Sequence, residues 1–368
     1  MKVPFFDLRV KNKKNRSDLV HALNKIMDHG KFFLGPEVKN FEDKIKKELG
    51  MRYAVGVSSG SSALYLALKA LGVKKGDEVI TTPLTWVITV NAIAACGARP
   101  IFADVKDDFN INPESIKNKI TKKTKAIVPM HYAGHLCDMK SISIIAKANN
   151  IDIVEDAAQA FGASINGKKA CTFSTVASLS MNPMKVLGGY GEAGLVVTNK
   201  KSIYKKIKLL RHAGTTSDPQ KKITNNCLEV SLNHKMDTIN AGLLLVSLKN
   251  FKKKYNKLKK ISAIYDRELK PYVKIQNTFP KERHGRYVYP IQTNHRDKLR
   301  KFLSKKGIET KIFHEPLVCD APIYREKRKA FVPNARKVLK RSLIIPCHEK
   351  LTLSQVNYVI KAFKIFFK

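Results

Sequence analysis

Residues 151–160 read IDIVEDAAQA, an apolar run that ends in two acids. The run predicts a buried strand over Ile151–Val154, with Glu155 and Asp156 at its carboxyl end. Ligands gather at this edge of a parallel sheet, where a carboxylate can pair with a protonated ring nitrogen. An acid is also favourable in the first turn of any helix, and on this run alone a helix cap explains both acids better.

On both sides of this run, short apolar strands alternate with helical patterns. The predicted strands are Tyr53–Val57, Glu78–Thr81, Pro100–Ala103, Ala126–Pro129, Val176–Leu179 and Leu195–Val197, and the predicted helices are Ser62–Leu71, Trp86–Cys96 and Met139–Ala148. This alternation predicts an α/β fold with a mainly parallel sheet that is covered on both faces.

The pattern changes after about residue 243, where the chain becomes rich in lysine. The elements predicted from there on are a long helix over Leu243–Leu269, strands near Tyr287–Pro290 and Glu309–Phe313, and a terminal helix from Ser354. We therefore expect an N-terminal arm and a large domain at residues 1–249, followed by a smaller α/β domain at residues 250–368.

The 368 residues are 43% hydrophobic and 27% charged, which is typical of a globular protein with a substantial core. No apolar run is long enough to span a bilayer, and residues 1–14 lack the apolar core of a signal peptide. We therefore expect a cytoplasmic protein without a membrane partner. The six cysteines are scattered without a CxxC pair, which argues against a zinc ribbon or a disulfide framework.

The formal net charge is +39, because 69 Lys and Arg residues face 30 Asp and Glu residues. Such a surplus can bind a nucleic-acid backbone or attract a phosphorylated small molecule. The lysines extend along the whole chain, however, and no aromatic residues are interleaved with them to stack on bases. We interpret most of them as solvated surface residues and expect no nucleic-acid partner.

One lysine has an unusual setting, in residues 180–191, which read SMNPMKVLGGYG. Lys185 is the only charged residue between Ala170 and Gly191. A lysine amine among apolar residues can act as a nucleophile toward an aldehyde, and the glycines let the backbone approach a flat ligand. On this segment alone, a lysine at a strand end that reaches into solvent is an equal alternative.

A third segment, residues 58–64, reads SSGSSAL and lies between a predicted strand and a predicted helix. Small residues at the N-terminus of a helix expose amide groups that can bind an anion such as phosphate. The signal is weak in isolation, because any turn from strand to helix favours Ser and Gly.

We call residues 58–64 the phosphate-type turn. Together with the acid at a strand end and the isolated lysine, this turn resembles the corresponding parts of aminotransferases of the aspartate-aminotransferase fold. The resemblance is closest to their DegT branch, the sugar aminotransferases, and implies PLP fold type I with pyridoxal 5'-phosphate as the cofactor. It covers nearly the whole chain through the segments Gly35–Val38, Phe41–Glu42, Ser59–Ser61, Gly76–Ile80, Thr85–Trp86, His131–Gly134, Asp138–Met139, Glu155–Gln159, Ser180–Gly194, Pro333–Ala335 and Ile345–Pro346.

The resemblance also implies roles for individual residues. Lys185 is similar to the catalytic lysine that holds the cofactor and moves a proton, and Asp156 to the aspartate that pairs with the ring nitrogen. The other implied cofactor-binding residues are Gln159 at the ring hydroxyl, Trp86 on the ring face, Gly60, Ser61 and Ser180 at the phosphate, and Asn233, which reaches the phosphate in the neighbouring subunit. We therefore expect a homodimer with active sites at its interface.

The implied reaction moves an amino group from an amino acid, by analogy L-glutamate, to a nucleotide-linked keto sugar, in amino-sugar biosynthesis for surface glycans. One alternative is a sugar dehydratase or lyase with the same cofactor, and another is a nucleic-acid-binding protein on an enzyme scaffold. Dehydratases of the family replace the lysine by histidine, so Lys185 favours amino transfer. The chain departs from the family pattern at Ala193, at Ser231 and Lys235, and within residues 211–214, which concerns substrate contacts more than cofactor chemistry.

Two groups of histidines remain. The set His131, His135, Cys137 and Asp138 contains metal-ligand residue types, but Gly134 interrupts the spacing and a loop is expected there, so we expect no metal site. His314 lies where the second lobe of such enzymes closes over the substrate. It is expected either to contact the sugar or diphosphate or to be a structural histidine.

Overall fold

The computed structural model describes residues 1–218, 223–325 and 330–368. Its helices, in chain order, are α1 (Lys13–His29), α2 (Pro36–Leu49), α3 (Gly60–Ala70), α4 (Val87–Ala95), α5 (Pro113–Lys117), α6 (Met139–Ala148), α7 (Lys201–Arg211), α8 (Thr238–Leu269), α9 (Arg296–Lys305), α10 (Pro333–Arg341) and α11 (Leu353–Phe366), with 3-10 turns at Tyr132–Gly134 and Val318–Asp320. None of the helices in these ranges combines the length and the apolar character that crossing a bilayer requires.

The strands of the same ranges belong to one large sheet and three small ones. In chain order they are β1 (Tyr53–Val57), β2 (Glu78–Thr81), β3 (Arg99–Phe102), β4 (Thr124–Val128), β5 (Asp152–Asp156), β6 (Ser164–Ile165), β7 (Lys168–Lys169), β8 (Val176–Ser180), β9 (Gly194–Thr198), β10 (Thr215–Asp218), β11 (Ile223–Cys227), β12 (Lys274–Ile275), β13 (Glu282–Arg283), β14 (Tyr289–Gln292) and β15 (Ser342–Ile345).

The large sheet has seven strands in the described ranges, in the order β1-β9-β8-β5-β4-β2-β3. The pairs β2·β3, β2·β4, β4·β5 and β5·β8 are parallel, whereas β9 is antiparallel to both β1 and β8. The predicted mixed, mostly parallel sheet is therefore confirmed. Because β5 and β8 are parallel neighbours, their carboxyl ends meet at one edge, where Asp156 and Ser180 lie.

Helices cover both faces of this sheet, which explains why its strands read as continuous apolar runs. On one face, Leu64 of α3 and Ile207 of α7 belong to the same buried cluster as Val154 of β5. On the opposite face, Ile142 of α6 lies in a separate cluster with Ile127 of β4. The strands are thus shielded from water, and polar groups concentrate at the ends of the strands.

Helix α3 begins where the predicted phosphate-type turn ends. Ser59 has an extended backbone and caps the helix, because its Oγ accepts a hydrogen bond from the amide of Ser62 at 3.1 Å. The helix that follows is rich in Ala and Leu, which favour helical structure and bury its inner face. The first turn of α3 is consequently fixed at the carboxyl end of β1.

Beyond the large sheet, α8 runs for 32 residues through positions 249 and 250 without a break. It leads into a small antiparallel sheet in the order β12-β14-β15. The terminal helix α11 starts with a capping box, in which Thr352 and Gln355 bond each other's backbone amides. These elements form the smaller C-terminal part of the chain.

Two predictions in this part need correction. The long helix begins at Thr238, five residues before the predicted start, and the strand predicted over Glu309–Phe313 is wrong. That segment forms only isolated bridges, because its amides bond different neighbours: Glu309 N donates to Val3 O at 3.0 Å and Lys311 N to Ile344 O at 3.0 Å. The segment is therefore divided between two partners, the N-terminal arm at Glu309 and β15 at Lys311, and forms no regular strand with either.

Candidate active site

The phosphate-type turn and the end of β8 are in direct contact. A Cβ atom at Gly60 would lie 2.6 Å from the Cβ of Ser180, so only glycine lets the first turn of α3 approach β8 this closely. Ser61 follows Gly60 and is exposed. Gly60, Ser61 and Ser180 thus come together from two distant segments, and the amides and hydroxyls there suit an anion.

Asp156 is 2% exposed at the end of β5. Its Oδ2 accepts a hydrogen bond from Thr89 Oγ1 at 2.9 Å, and its Oδ1 accepts one from the amide of Ala158 at 3.1 Å. Burial raises the pKa of this carboxyl above its ordinary value, although both hydrogen bonds and the charge of Lys185 act in the opposite direction. A cationic group placed against Asp156 would therefore be strongly attracted.

Lys185 lies in the loop between β8 and β9, and this loop folds back on itself. The amide of Lys185 donates to Asn182 O at 2.8 Å, which holds the residue in a tight turn. Its Nζ lies 4.4 Å from the centroid of the Tyr287 ring, within the range of a cation–π contact. The carbonyl of Lys185 accepts a hydrogen bond from Lys254 Nζ at 3.1 Å. Both the amine and the backbone of Lys185 are thus positioned by neighbours.

Gln159 follows Asp156 by three residues, and Trp86 precedes by three residues Thr89, which bonds Asp156. Gln159 is buried, and its Oε1 accepts a hydrogen bond from the amide of Ala133 at 2.7 Å, so its amide nitrogen is the group that can donate to a ligand. Trp86 precedes α4 by one residue and is 64% exposed. An exposed indole three residues before Thr89 offers a flat apolar face.

His314 also belongs to this region. The two ring nitrogens are enclosed, and neither finds a hydrogen-bond partner among the residues that the structure describes. Burial, assisted by the charge of Lys185, lowers the pKa of this imidazole to about 3. The ring stands edge-on to Tyr132 at 5.7 Å. A neutral histidine with free nitrogens near Lys185 is suited to hydrogen-bond a polar ligand.

Asn233 lies on the surface beside the phosphate-type turn. Its exposed side chain accepts a hydrogen bond from the amide of Lys235 at 3.3 Å. The adjacent His234 supports the turn, since its carbonyl accepts from Ser58 N at 2.9 Å and its Nδ1 lies 2.9 Å from Ser62 Oγ. The carboxamide of Asn233 thus lies at the protein surface.

The four side chains considered as metal ligands all have structural partners. His131 Nε2 bonds Glu155 at 2.8 Å in a fully buried pair. His135 lies between Glu282, at 2.8 Å, and Asp108, at 3.4 Å. The thiol of Cys137 donates to Met130 O, and Asp138 caps α6. These bonds hold the loop after β4 in place, and they direct the four side chains to different partners instead of to one common metal position.

Lys185 opens into a cavity of about 550 Å³, a volume typical of sites for small molecules. The walls are the N-terminal arm at residues 6–12, one face of α8, Tyr287 and the turn at residues 347–350. A larger groove of about 920 Å³ lies on the opposite face of α8 and does not include Lys185. The smaller cavity is lined by Lys185 and Tyr287 but not by Gly60, Asp156, Gln159 or Ser180, so it adjoins only the lysine end of the candidate site.

Comparison with known proteins gives consistent results. A family model described as the DegT/DnrJ/EryC1/StrS aminotransferase family matches residues 13–364. The chain is 33% identical to the "Pleiotropic regulatory protein" of Geobacillus stearothermophilus, over 100% of this chain and 99% of that protein. It is 30% identical to the UDP-2-acetamido-2-deoxy-3-oxo-D-glucuronate aminotransferase of Pseudomonas aeruginosa, over 98% and 99% of the two chains. The structure of DesV from S. venezuelae superimposes with a TM-score of 0.95 at 30% identity, covering 100% of this chain and 99% of that one.

Proposed function

Because the chain belongs to the DegT/DnrJ/EryC1/StrS aminotransferase family, we propose that it moves an amino group from L-glutamate to a nucleotide-linked keto sugar. The family uses pyridoxal 5'-phosphate as its cofactor, and this chain is a PLP-dependent sugar aminotransferase. The donor and the nucleotide-linked acceptor are the proposed part, since several relatives are named for UDP- or dTDP-linked sugars.

One observation supports the proposal: Lys185 is near enough to the buried Asp156 for its charge to lower the pKa of that carboxyl, although about 30 residues separate the two in sequence. The charge of Lys185 acts on Asp156, and Gly60 and Ser180 supply an anion-binding turn at the same sheet edge. A phosphate, a protonated ring nitrogen and an aldehyde are the three groups that these residues can bind. Pyridoxal phosphate contains all three.

The residues present therefore fit the cofactor. Gly60, Ser61 and Ser180 would hold the phosphate, Asp156 the ring nitrogen, and Gln159 the ring hydroxyl. When bound, the cofactor supplies an electron sink for the carbon that loses its proton.

Each side chain has a distinct part in the reaction. Asp156, kept from water and fixed by Thr89, favours the protonated form of the ring nitrogen. Lys185 Nζ takes and returns the proton at the amino-bearing carbon, and Tyr287, whose ring centroid lies 4.4 Å from Nζ, orients this amine. Trp86 would cover the exposed ring face. The same machinery serves the glutamate and sugar halves of the reaction in turn.

We also propose that two copies of the chain form the active enzyme. The carboxamide of Asn233 lies at the surface beside the turn that contains Ser58 and Ser62, so a second subunit docked there could receive it. In this arrangement Asn233 completes the phosphate site of the neighbour. The large and small domains, at residues 1–249 and 250–368, would meet at the cavity that contains Lys185.

The test is an absorbance spectrum of the purified protein with pyridoxal phosphate, before and after addition of glutamate. We expect a visible band of covalently bound cofactor that glutamate bleaches, and that a keto sugar restores. Lys185→Ala should lose the band, whereas Lys200→Ala, which removes an exposed lysine outside the cavity, should keep it. A band that glutamate leaves unchanged contradicts this donor, and a sugar product without new nitrogen indicates a lyase.

A further inference from the structure

A cavity of about 600 Å³ lies outside the candidate active site, between α8 and the segment that joins β12 to β14. It is lined by the last turns of α8, by residues of the segments 275–278 and 284–290, and by Cys347. Neither Lys185 nor any residue assigned to the cofactor lines it. The volume suits a small molecule, and the proposed reaction does not account for this cavity.

Arg286 is the residue of this cavity with unused hydrogen-bond donors. Its side chain is 23% exposed, and its Nε is enclosed and without a hydrogen-bond partner among the described residues. Its ion pair in the same ranges is a long one, from Nη1 to Asp266 Oδ2 at 3.7 Å. A guanidinium has five N–H donors in a planar fork, and a buried donor without an acceptor costs free energy. The edge formed by Nε and Nη2 is therefore available to a ligand.

The backbone that places Arg286 is held by the loop after β4. The amide of Gly285 donates to Gly134 O at 2.7 Å, and the amide of Arg286 donates to His284 Nδ1 at 2.9 Å. Arg286 has a φ of +59°, in the left-handed region that a residue other than glycine occupies only at a cost in energy. The side chain thus reaches the cavity from a fixed turn, so a ligand has little backbone left to order.

The charges that line the cavity are unbalanced. Arg286 and Lys270 are the cations and Asp266 is the acid. Lys270 is exposed and forms no ion pair in the part of the chain that the structure describes, whereas Asp266 already accepts a hydrogen bond from Tyr289 OH at 2.7 Å. His284 adds no charge, because burial and the charge of Arg286 lower its pKa well below the ordinary value. The cavity therefore favours an anion.

A compact oxyanion suits these groups best. A guanidinium edge binds two oxygens of one phosphate or carboxylate side by side, and an ammonium group adds a point charge. Asn277 and Thr278 line the same cavity and are exposed, and neither side chain bonds another residue in the described ranges. An amide and a hydroxyl are thus available as further donors to the same anion.

We propose that this cavity is a second ligand site, in which Arg286 and Lys270 bind the phosphate or carboxylate group of a small molecule. The site is separate from the one that contains Lys185, but the two are neighbours. Arg286 directly precedes Tyr287, whose ring centroid lies 4.4 Å from Lys185 Nζ, and Cys347 lines the cavities on both sides. An anion on Arg286 is therefore one residue away from a contact of the reacting amine.

The test is calorimetric titration of the cofactor-loaded enzyme, at constant ionic strength, with inorganic phosphate and separately with acetate. We expect Arg286→Gln to weaken binding of the preferred anion by roughly 10-fold or more, because a charge-assisted bidentate contact is lost. The matched control is Arg283→Gln, since Arg283 is exposed, lies over the ring of Tyr255 and does not line this cavity. It should bind like the wild type. Tighter binding of phosphate identifies a phosphate-bearing ligand, and tighter binding of acetate a carboxylate.

A second pair of variants changes only exposed side chains. Lys270→Gln, just beyond the end of α8, should also weaken binding, whereas Lys260→Gln, on the same helix but outside the cavity, should not. The inference is overturned if the wild type binds neither anion, or if Arg286→Gln and Lys270→Gln both bind as tightly as the wild type. Equal weakening in Arg283→Gln and Lys260→Gln also rejects it, because the overall charge alone then attracts the anion.

Discussion

Asp156 illustrates how a single residue can define a site. Its carboxylate is withdrawn from water and receives hydrogen bonds from Thr89 and Ala158, yet burial still raises its pKa. A cation placed against such a buried carboxylate stabilises its charged form. The protonated ring nitrogen of pyridoxal phosphate is such a cation, so cofactor binding and charge compensation of Asp156 are one event.

At this scale we predict that Asp156→Asn lowers kcat by ~100-fold or more while the protein still binds the cofactor, because the ring nitrogen loses its negative partner. The rate of bleaching by glutamate in a stopped-flow spectrophotometer measures the effect. Asp152→Asn, at the opposite end of the same strand and bonded to Thr175, is the matched control and should react at the wild-type rate. Equal rates in both variants would remove Asp156 from the mechanism.

At the scale of elements, the sequence predicted those parts whose signal is local. The helix Met139–Ala148 and the strand Glu78–Thr81 have the predicted bounds, because apolar periodicity and turn residues determine them within the segment. Lys185, Asp156 and Gly60 were noticed in their own segments, but only the three segments together and the family resemblance gave them roles, and these roles stay predictions. The prediction of a strand at Glu309–Phe313 was wrong because the backbone of that segment bonds two separate partners, Val3 in the N-terminal arm and Ile344 in β15.

The supporting residues of the site could not be predicted in this way. Thr89 contacts Asp156 from α4, Tyr287 contacts Lys185 from the segment before β14, and Lys254 does so from α8. Each lies more than 60 residues along the chain from its partner. Only tertiary packing brings them together, and no local pattern distinguishes them from other polar or aromatic residues.

The loop after β4 contains a histidine, His135, whose contribution to the stability of the fold depends on pH. Burial opposes protonation of His135, but its hydrogen bonds to Asp108 and Glu282 outweigh burial and raise its pKa to about 9. The nearby His284 has its pKa lowered well below the ordinary value by burial and remains neutral. A charged His135 between two carboxylates therefore joins this loop to β13.

Because the pKa of His135 is higher in the folded state, its contribution to stability is fully present below about pH 6.5 and is lost as the pH rises through about 9. We predict that the free energy of unfolding falls by about 3 kcal/mol more between pH 7 and 10 in the wild type than in His135→Gln. Urea denaturation at both pH values measures this difference. Parallel pH profiles for the two proteins would contradict it.

At the scale of the whole molecule, the proposed homodimer makes each active site a joint product of two chains. In the proposed dimer, Lys185 and Asp156 would come from one subunit and Asn233 from the other. Two chains with different defects can then restore one complete site between them. Such complementation separates a shared site from one that is complete within a single subunit.

We predict that a heterodimer of a Lys185→Ala chain and an Asn233→Ala chain, isolated with two affinity tags, has about half the wild-type activity, because one of its two sites is intact. The control pairs a wild-type chain with a chain that carries both substitutions, which damages both sites. Activity in the control equal to that of the test heterodimer, or no rescue in the test, would show that Asn233 does not act across the interface.

Trp86 is the only tryptophan in the chain, and it is 64% exposed beside the buried Asp156 region. Its ultraviolet emission is therefore free of background from any other indole. A cofactor ring stacked on it would absorb that emission by energy transfer, and each change in the occupancy of the site would alter the signal. With the cofactor placed in this way, Trp86 would report ligand binding optically in unlabelled samples.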